Sequence, residues 1–275
     1  MRPLLCCLIA LLALAGAQVA GAVGPALWTV DQIAAPGGAV DYVAHFDKKA
    51  GSTTIAARRG GESRESVALK GRWGFQVVSL AGDAAGLSAN GRVLVASTPP
   101  ANPAGLAGPS RFTVLRTAPL RVAQSFTLPG SYTVDAVSPD GSKLFLIQHV
   151  EISGDISRYR VRAYDLKTHR LLPGVIADKR QASWTMRGYP LARAATASES
   201  SVYTLYQPDG NYPFIHALDT VHASAVCIGL PLSWTGNTLD GAKLTLSDDG
   251  SRLVVSGPHI DTPVAVDTRT LQIVH

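Results

Sequence analysis

The chain has 275 residues, a formal net charge of +5, 46% apolar residues and only 16% charged ones. So sparse a charge, beside so many apolar residues, excludes intrinsic disorder, coiled coils and long charged helices. The 26 glycines and 17 prolines call for many tight turns between short elements, and the length suffices to bury a large core without disulfides or metal.

Met1-Arg2-Pro3 precedes an apolar run from Leu4 to Ala17, and small-x-small sites follow at Ala15-Gly16-Ala17 and Ala20-Gly21-Ala22. This is the pattern of a secretory signal peptide over residues 1–22, either removed on export or kept as an uncleaved anchor. The run is shorter than the roughly 20 residues of a membrane span, and no second stretch of its kind occurs, so contact with a membrane is expected only through this N-terminal segment. Cys6 and Cys7 fall inside the leader, which leaves Cys227 as the single cysteine of the mature chain, read as a small buried hydrophobe. No basic run exceeds two residues, as in Lys48-Lys49 and Arg58-Arg59. A charge spread this way favours solubility, and nucleic acid is not an expected partner.

Residues 28–275 read as one domain built of repeats. Gly86 to Val95, Asp135 to Leu146, Arg193 to Leu205 and Leu244 to Val255 align on serines at 88, 138, 198 and 247, spaced by 50, 60 and 49 residues. In three of these units an Asn-Gly or Asp-Gly pair sits between two apolar runs of period two, the strongest short-range sign of a hairpin; the third unit has Ser200-Ser201 where the glycine is expected. A second shared feature is an aspartate closing an alternating strand, at Asp165, Asp219 and Asp267, whose side chain can shape the turn that follows. The first unit is the weakest, assembled from Tyr42 to Asp47, Ser52 to Arg58 and Ser66 to Leu69, with Trp28 to Gln32 as an outermost or closing strand.

Five units of about 50 residues, each of four short strands, predict an all-β fold, a β-propeller of about five four-stranded blades after an N-terminal signal peptide. A β-sandwich or β-helix would not readily produce a period near 50. On Ser138-Pro139-Asp140-Gly141, Ser247-Asp248-Asp249-Gly250 and the strand-ending aspartates, the chain resembles bacterial extracytoplasmic propellers related to the WD-repeat and YVTN-type proteins. The resemblance is specific for architecture and poor for function, because propellers host hydrolases, lyases, oxidoreductases and plain binding platforms.

No nucleophile elbow, phosphate-binding glycine loop, His-Glu-x-x-His, Cys-x-x-Cys or calcium-loop spacing occurs in the sequence. No catalytic residue, metal ligand or cofactor is therefore assigned. Antiparallel strands place the tight turns between the first and second and the third and fourth strand of each blade on one face. Length and chemical variety collect on the other, in Ser97 to Arg111, His149 to Arg158, Gln207 to Pro213, Gly257 to Pro263 and the crossing from Asp178 to Tyr189. Glu151, Trp184, Arg187, Tyr212, His259 and Asp261 are the candidate ligand-binding residues of that face, since loops on a rigid scaffold usually carry function.

The leading expectation is a secreted or envelope-associated, monomeric and non-catalytic binding module for a protein or a cell-envelope polymer. The alternative is a metal-assisted hydrolase or lyase acting on a lactone or glycan through His149, Glu151, His259 and Asp261. A third reading is an extracytoplasmic sensor held by its uncleaved leader.

Overall fold

The structure is a computed structural model that describes residues 28–99, 108–153, 156–180, 185–207, 212–232 and 238–274. The leader and its two cysteines lie outside these residues, as does Trp184. Among the described residues every regular element is a β-strand, and all strand pairings are antiparallel. In chain order, β1 (Thr29–Val30) is followed by blade 1, made of β2 (Gln32–Ala34), β3 (Asp41–Asp47), β4 (Ser52–Arg59) and β5 (Glu62–Lys70). The hairpin of β6 (Phe75–Val77) and β7 (Ala84–Ala85) leads into blade 2, with β8 (Val93–Ser97), β9 (Ser110–Thr117) and β10 (Leu120–Leu128). Blade 3 contains β11 (Ser131–Val137), β12 (Lys143–Ser153), β13 (Ile156–Asp165) and β14 (Arg170–Leu171), and β15 (Met186–Arg187) joins β13 at its far end. Blade 4 is β16 (Tyr189–Ala195), β17 (Ser201–Gln207), β18 (Phe214–Asp219) and β19 (Ser224–Gly229), and blade 5 is β20 (Lys243–Leu246), β21 (Arg252–Ser256), β22 (Val264–Asp267) and β23 (Gln272–Val274).

The strands form where the sequence alternates, and they pack where the alternating side chains meet the next blade. Four clusters of buried apolar residues hold the blades in series. Ile33, Ile55 and Leu115 join blades 1 and 2; Val95, Phe112 and Leu146 join 2 and 3; Phe145, Val161 and Leu218 join 3 and 4; Leu205, Ile215 and Val266 join 4 and 5. None of the four joins blade 5 to blade 1, and among the described residues no strand is shared between the last blade and the first.

The repeat is visible at atomic detail in the tight turns. Gly91, Gly141 and Gly250 each donate a backbone N–H to the carbonyl of Ser88, Ser138 or Ser247, while the serine hydroxyl donates to Asn90, Asp140 or Asp249. In blade 4 the same N–H bond runs from Glu199 to Thr196. Thr196, and not Ser198, is therefore the structural counterpart of the repeated serine, which corrects the sequence alignment by two residues. Glu199 takes the glycine's place with φ 53°, beside 65°, 68° and 70° at Gly91, Gly141 and Gly250. A left-handed conformation there costs a side chain roughly 1 kcal/mol. The strand-ending aspartates behave as the sequence suggests: Asp165, Asp219 and Asp267 each accept two backbone N–H groups from the following turn, and Asp47 in blade 1 does the same. Two such bonds hold the carboxyls of Asp165 and Asp267 below the usual aspartate range.

Two expectations need correction. The segment from Trp28 to Gln32 is not an outermost strand: β1 pairs with β6, and β2 forms the inner edge of blade 1 against β3, so the first unit is a regular four-stranded blade. The proposed loop from His149 to Arg158 is largely ladder, because β12 and β13 remain paired from Lys143↔Asp165 to Ser153↔Ile156. The β6–β7 hairpin has no counterpart in the other blades. Its connecting residues Leu80 and Ala81 donate backbone N–H groups to Pro190 and Leu191 of β16, which ties blade 2 directly to blade 4.

Where this hairpin meets blade 2, only glycine fits. Gly86 has φ 120°, and a Cβ there would lie 2.6 Å from the Val95 carbonyl oxygen, the acceptor side of a close backbone approach. Gly86→Ala is expected to cost about 2 kcal/mol or more through backbone strain and steric overlap, measured as a lower midpoint in urea unfolding, whereas Gly250→Ala, which meets no neighbouring atom within 4 Å, pays only the backbone strain.

Candidate functional site

The loop between β21 and β22 is pinned at both ends. Gly257 packs so close to Ala242 that an added Cβ would lie 3.1 Å from its Cα, and Ile260 is buried after donating its N–H to the Gly257 carbonyl. His259 and Asp261, on either side of this anchor, are exposed. Both line a pocket of about 490 Å³ together with Arg252 of β21, Leu232 and Thr238 of the crossing from blade 4, and Ile273 of β23. Its lining mixes these polar and charged side chains with aliphatic ones, and its volume is that of small-ligand sites, roughly 300 to 1,000 Å³.

The other predicted residues lie elsewhere. Glu151 on β12 stands opposite Arg158 on β13, which in turn stands opposite Arg187 on β15, so two of the predicted residues share one row of blade 3. Arg158 donates to the Glu151 carboxylate at 3.0 Å. Tyr212 is 72% exposed at the start of the segment leading into β18. The structure thus pairs His259 with Asp261 in one pocket and Glu151 with Arg187 in one row on another blade.

The residues of the alternative, metal-assisted reading are not assembled. His149 is buried between blades 3 and 4, where its Nε2 lies 3.0 Å from the Thr133 hydroxyl, and burial lowers its pKa to about 4. His259 lines the pocket of blade 5, and Glu151 is engaged by Arg158. Among the described residues no three His, Cys, Asp or Glu side chains come together as a metal-binding group.

Two polar features were missed by sequence reasoning. The first is an ion pair near the axis: Arg193 of β16 donates through Nη1 to the Asp135 carboxylate at 2.8 Å and through Nη2 to the Asp135 carbonyl at 2.6 Å. With Glu199, whose pKa is raised by burial, the pair lines a recess of about 100 Å³ beside Ile33, Pro36 and Gly86 on the face of the tight turns. A charge inside the apolar run Tyr132-Thr133-Val134-Asp135-Ala136-Val137 was the signal available. The second is a polar row across blade 4, in which Arg193, Thr204, His216 and Cys227 are successive cross-strand partners. His216 is buried with its Nε2 unbonded, burial lowers its pKa, and Cys227 Sγ lies 3.9 Å from its Nδ1. Burial pushes the Cys227 thiol up to about 12, so at neutral pH it is an unreactive thiol, as the sequence suggested. At the outer end Asp178 accepts the Cys227 N–H at 3.0 Å and pairs with Arg180.

No family model matches the chain, and no curated protein does. Solved structures do. The β-propeller domain of Cps50 (Swd1) from Myceliophteria thermophila superposes with a TM-score of 0.51 at 12% identity, over 90% of this chain and 70% of that one. The fold is that of a β-propeller. TolB from Acinetobacter baumannii matches with a TM-score of 0.47 at 12% identity over 88% of this chain, which spans 52% of that protein. The β-propeller domain of the trilobed protease from Pyrococcus furiosus matches with a TM-score of 0.48 at 9% identity, covering 90% of this chain and 70% of that one. In this propeller the blade 5 pocket opens beside the β21–β22 loop, on the face where the loops between second and third strands emerge.

Proposed function

We propose that this propeller is an extracytoplasmic, non-catalytic binding module whose ligand occupies the pocket of blade 5. The carrying observation is that pocket: it is large enough for a ligand, is lined in part by the paired strands of blade 5, and offers Arg252, His259 and Asp261 beside aliphatic side chains. A cell-envelope polymer or an envelope protein suits such a site, and the apolar leader over residues 1–22 supports export.

Co-sedimentation of the purified mature domain with peptidoglycan sacculi tests this reading. The unaltered protein is expected to be retained, and a His259→Ala/Asp261→Ala variant to lose retention by about tenfold or more with an unchanged unfolding midpoint, as removal of central anchors does. Equal retention of the variant would remove the pocket from consideration.

A further inference from the structure

β12 and β13, at 11 and 10 residues, are the longest strands among the described residues. On β13 the sequence Arg158-Tyr159-Arg160-Val161-Arg162-Ala163 alternates strictly. Tyr159, Val161 and Ala163 are buried against blade 4, which directs Arg158, Arg160 and Arg162 to the opposite face, roughly 6.7 Å apart along the strand. Arg187 of β15 stands directly beside Arg158 and so shares that face, while its neighbour Met186 is buried on the other. Four guanidinium groups therefore lie on one side of a three-stranded ribbon, with Glu151 as the carboxylate in the same rows.

Their environments differ along the ladder. Arg162 is half-buried and fixed, donating to the Gln148 side chain at 3.1 Å and to the Leu172 carbonyl at 3.0 Å. Next to it on this face Tyr164 is stacked on Phe126, ring to ring at 3.9 Å, which closes that end against blade 2. Arg158, Arg160 and Arg187 are exposed. Arg158 meets Glu151 and Arg160 contacts Thr185 at 3.3 Å, and each of these two guanidinium groups has five N–H donors, more than the one contact uses.

We infer that this arginine ladder binds a linear acidic polysaccharide whose carboxylates lie along β13. A fixed row of guanidinium groups matches repeated carboxylates with charge-assisted, paired hydrogen bonds that lysines would not orient. Among the described residues the exposed members of the row are polar, without the apolar anchors that a protein interface uses at its centre. Among the described residues the aromatic rings of blade 3 on this face, Tyr132 and Tyr164, are buried and offer no stacking platform of the kind single-stranded nucleic acid uses. The ladder is on blade 3 and stands independently of the blade 5 pocket.

Fluorescence anisotropy with labelled oligogalacturonate, and with neutral oligodextran as the uncharged control, tests the assignment. The unaltered protein is expected to bind the oligogalacturonate with an affinity that falls steeply with salt, and to leave the dextran free. Arg158→Gln/Arg160→Gln is expected to weaken binding about tenfold and to flatten the salt dependence. Lys48→Gln/Lys49→Gln, which removes the same charge from exposed positions of blade 1, should bind as the unaltered protein does. Should the double arginine variant fail to fold, Arg187→Gln at the edge strand supplies the readout, with an expected loss of about threefold. Unchanged binding in the arginine variants, an equal loss in the lysine variant, or tighter binding of poly-glutamate or single-stranded RNA than of oligogalacturonate would overturn the inference.

Discussion

Replacing Arg193 by alanine is expected to cost about 3 to 5 kcal/mol, because it leaves the Asp135 carboxylate buried without its partner. Asp135 is 4% exposed, and the Arg193 side chain gives it two hydrogen bonds, one to the carboxylate and one to the backbone carbonyl. The pair also links the innermost strands of blades 3 and 4, so its loss removes a contact that the apolar cluster outside it does not duplicate. Urea unfolding of the single variant measures the cost. The double variant Asp135→Leu/Arg193→Met should recover most of it, since an apolar pair of similar size leaves no buried charge behind. A single-variant loss below about 1 kcal/mol would mean that water reaches the pair and screens it.

Acid is expected to weaken the fold in two stages. His149 has an ordinary value of 6.5, and burial lowers it to about 4 in the folded state. The folded state therefore favours the neutral ring: the contribution is fully present above pH 6.5 and is lost as pH falls from there toward about 4. Its size is about 3 kcal/mol at 1.36 kcal/mol per unit. His216, lowered for the same reason, adds to the same window. The turn aspartates act below it. Asp140 and Asp249 are held at about 2, chiefly by the hydroxyls of Ser138 and Ser247, so their contribution is present above the ordinary aspartate value and is lost as pH falls through about 4 to 2. Urea midpoints measured from about pH 7.5 to pH 4.5 report the first stage. His149→Gln, which keeps a hydrogen-bonding side chain beside Thr133, should flatten it; an unchanged slope would sink the assignment to His149.

Much of the propeller was legible because its turns are local. Ser138-Pro139-Asp140-Gly141 and Asp165 act within a few residues of themselves, through side-chain bonds to nearby backbone, so spacing alone reveals them. Blade 4 shows where this stops. Thr196 performs the serine's role and Glu199 the glycine's, and a threonine with a strained glutamate does not look like Ser-x-x-Gly to an alignment by residue type. The arginine ladder was hidden for a different reason: taking His149 to Arg158 as a loop removed the alternation that places Arg158, Arg160 and Arg162 on one face. Of the candidate binding residues, His259 and Asp261 were legible as a pair because one short loop carries both.

The sequence by itself determined the period and the turn chemistry, since both rest on interactions between residues close in the chain. Only the tertiary structure decided that β1 joins β6, that the β6–β7 hairpin reaches β16, that Asp135 meets Arg193 and that His149 is sequestered from His259. Those outcomes depend on which alternating faces come together across blades. An apolar pattern specifies that a face is buried, and the packing of whole blades selects its partner.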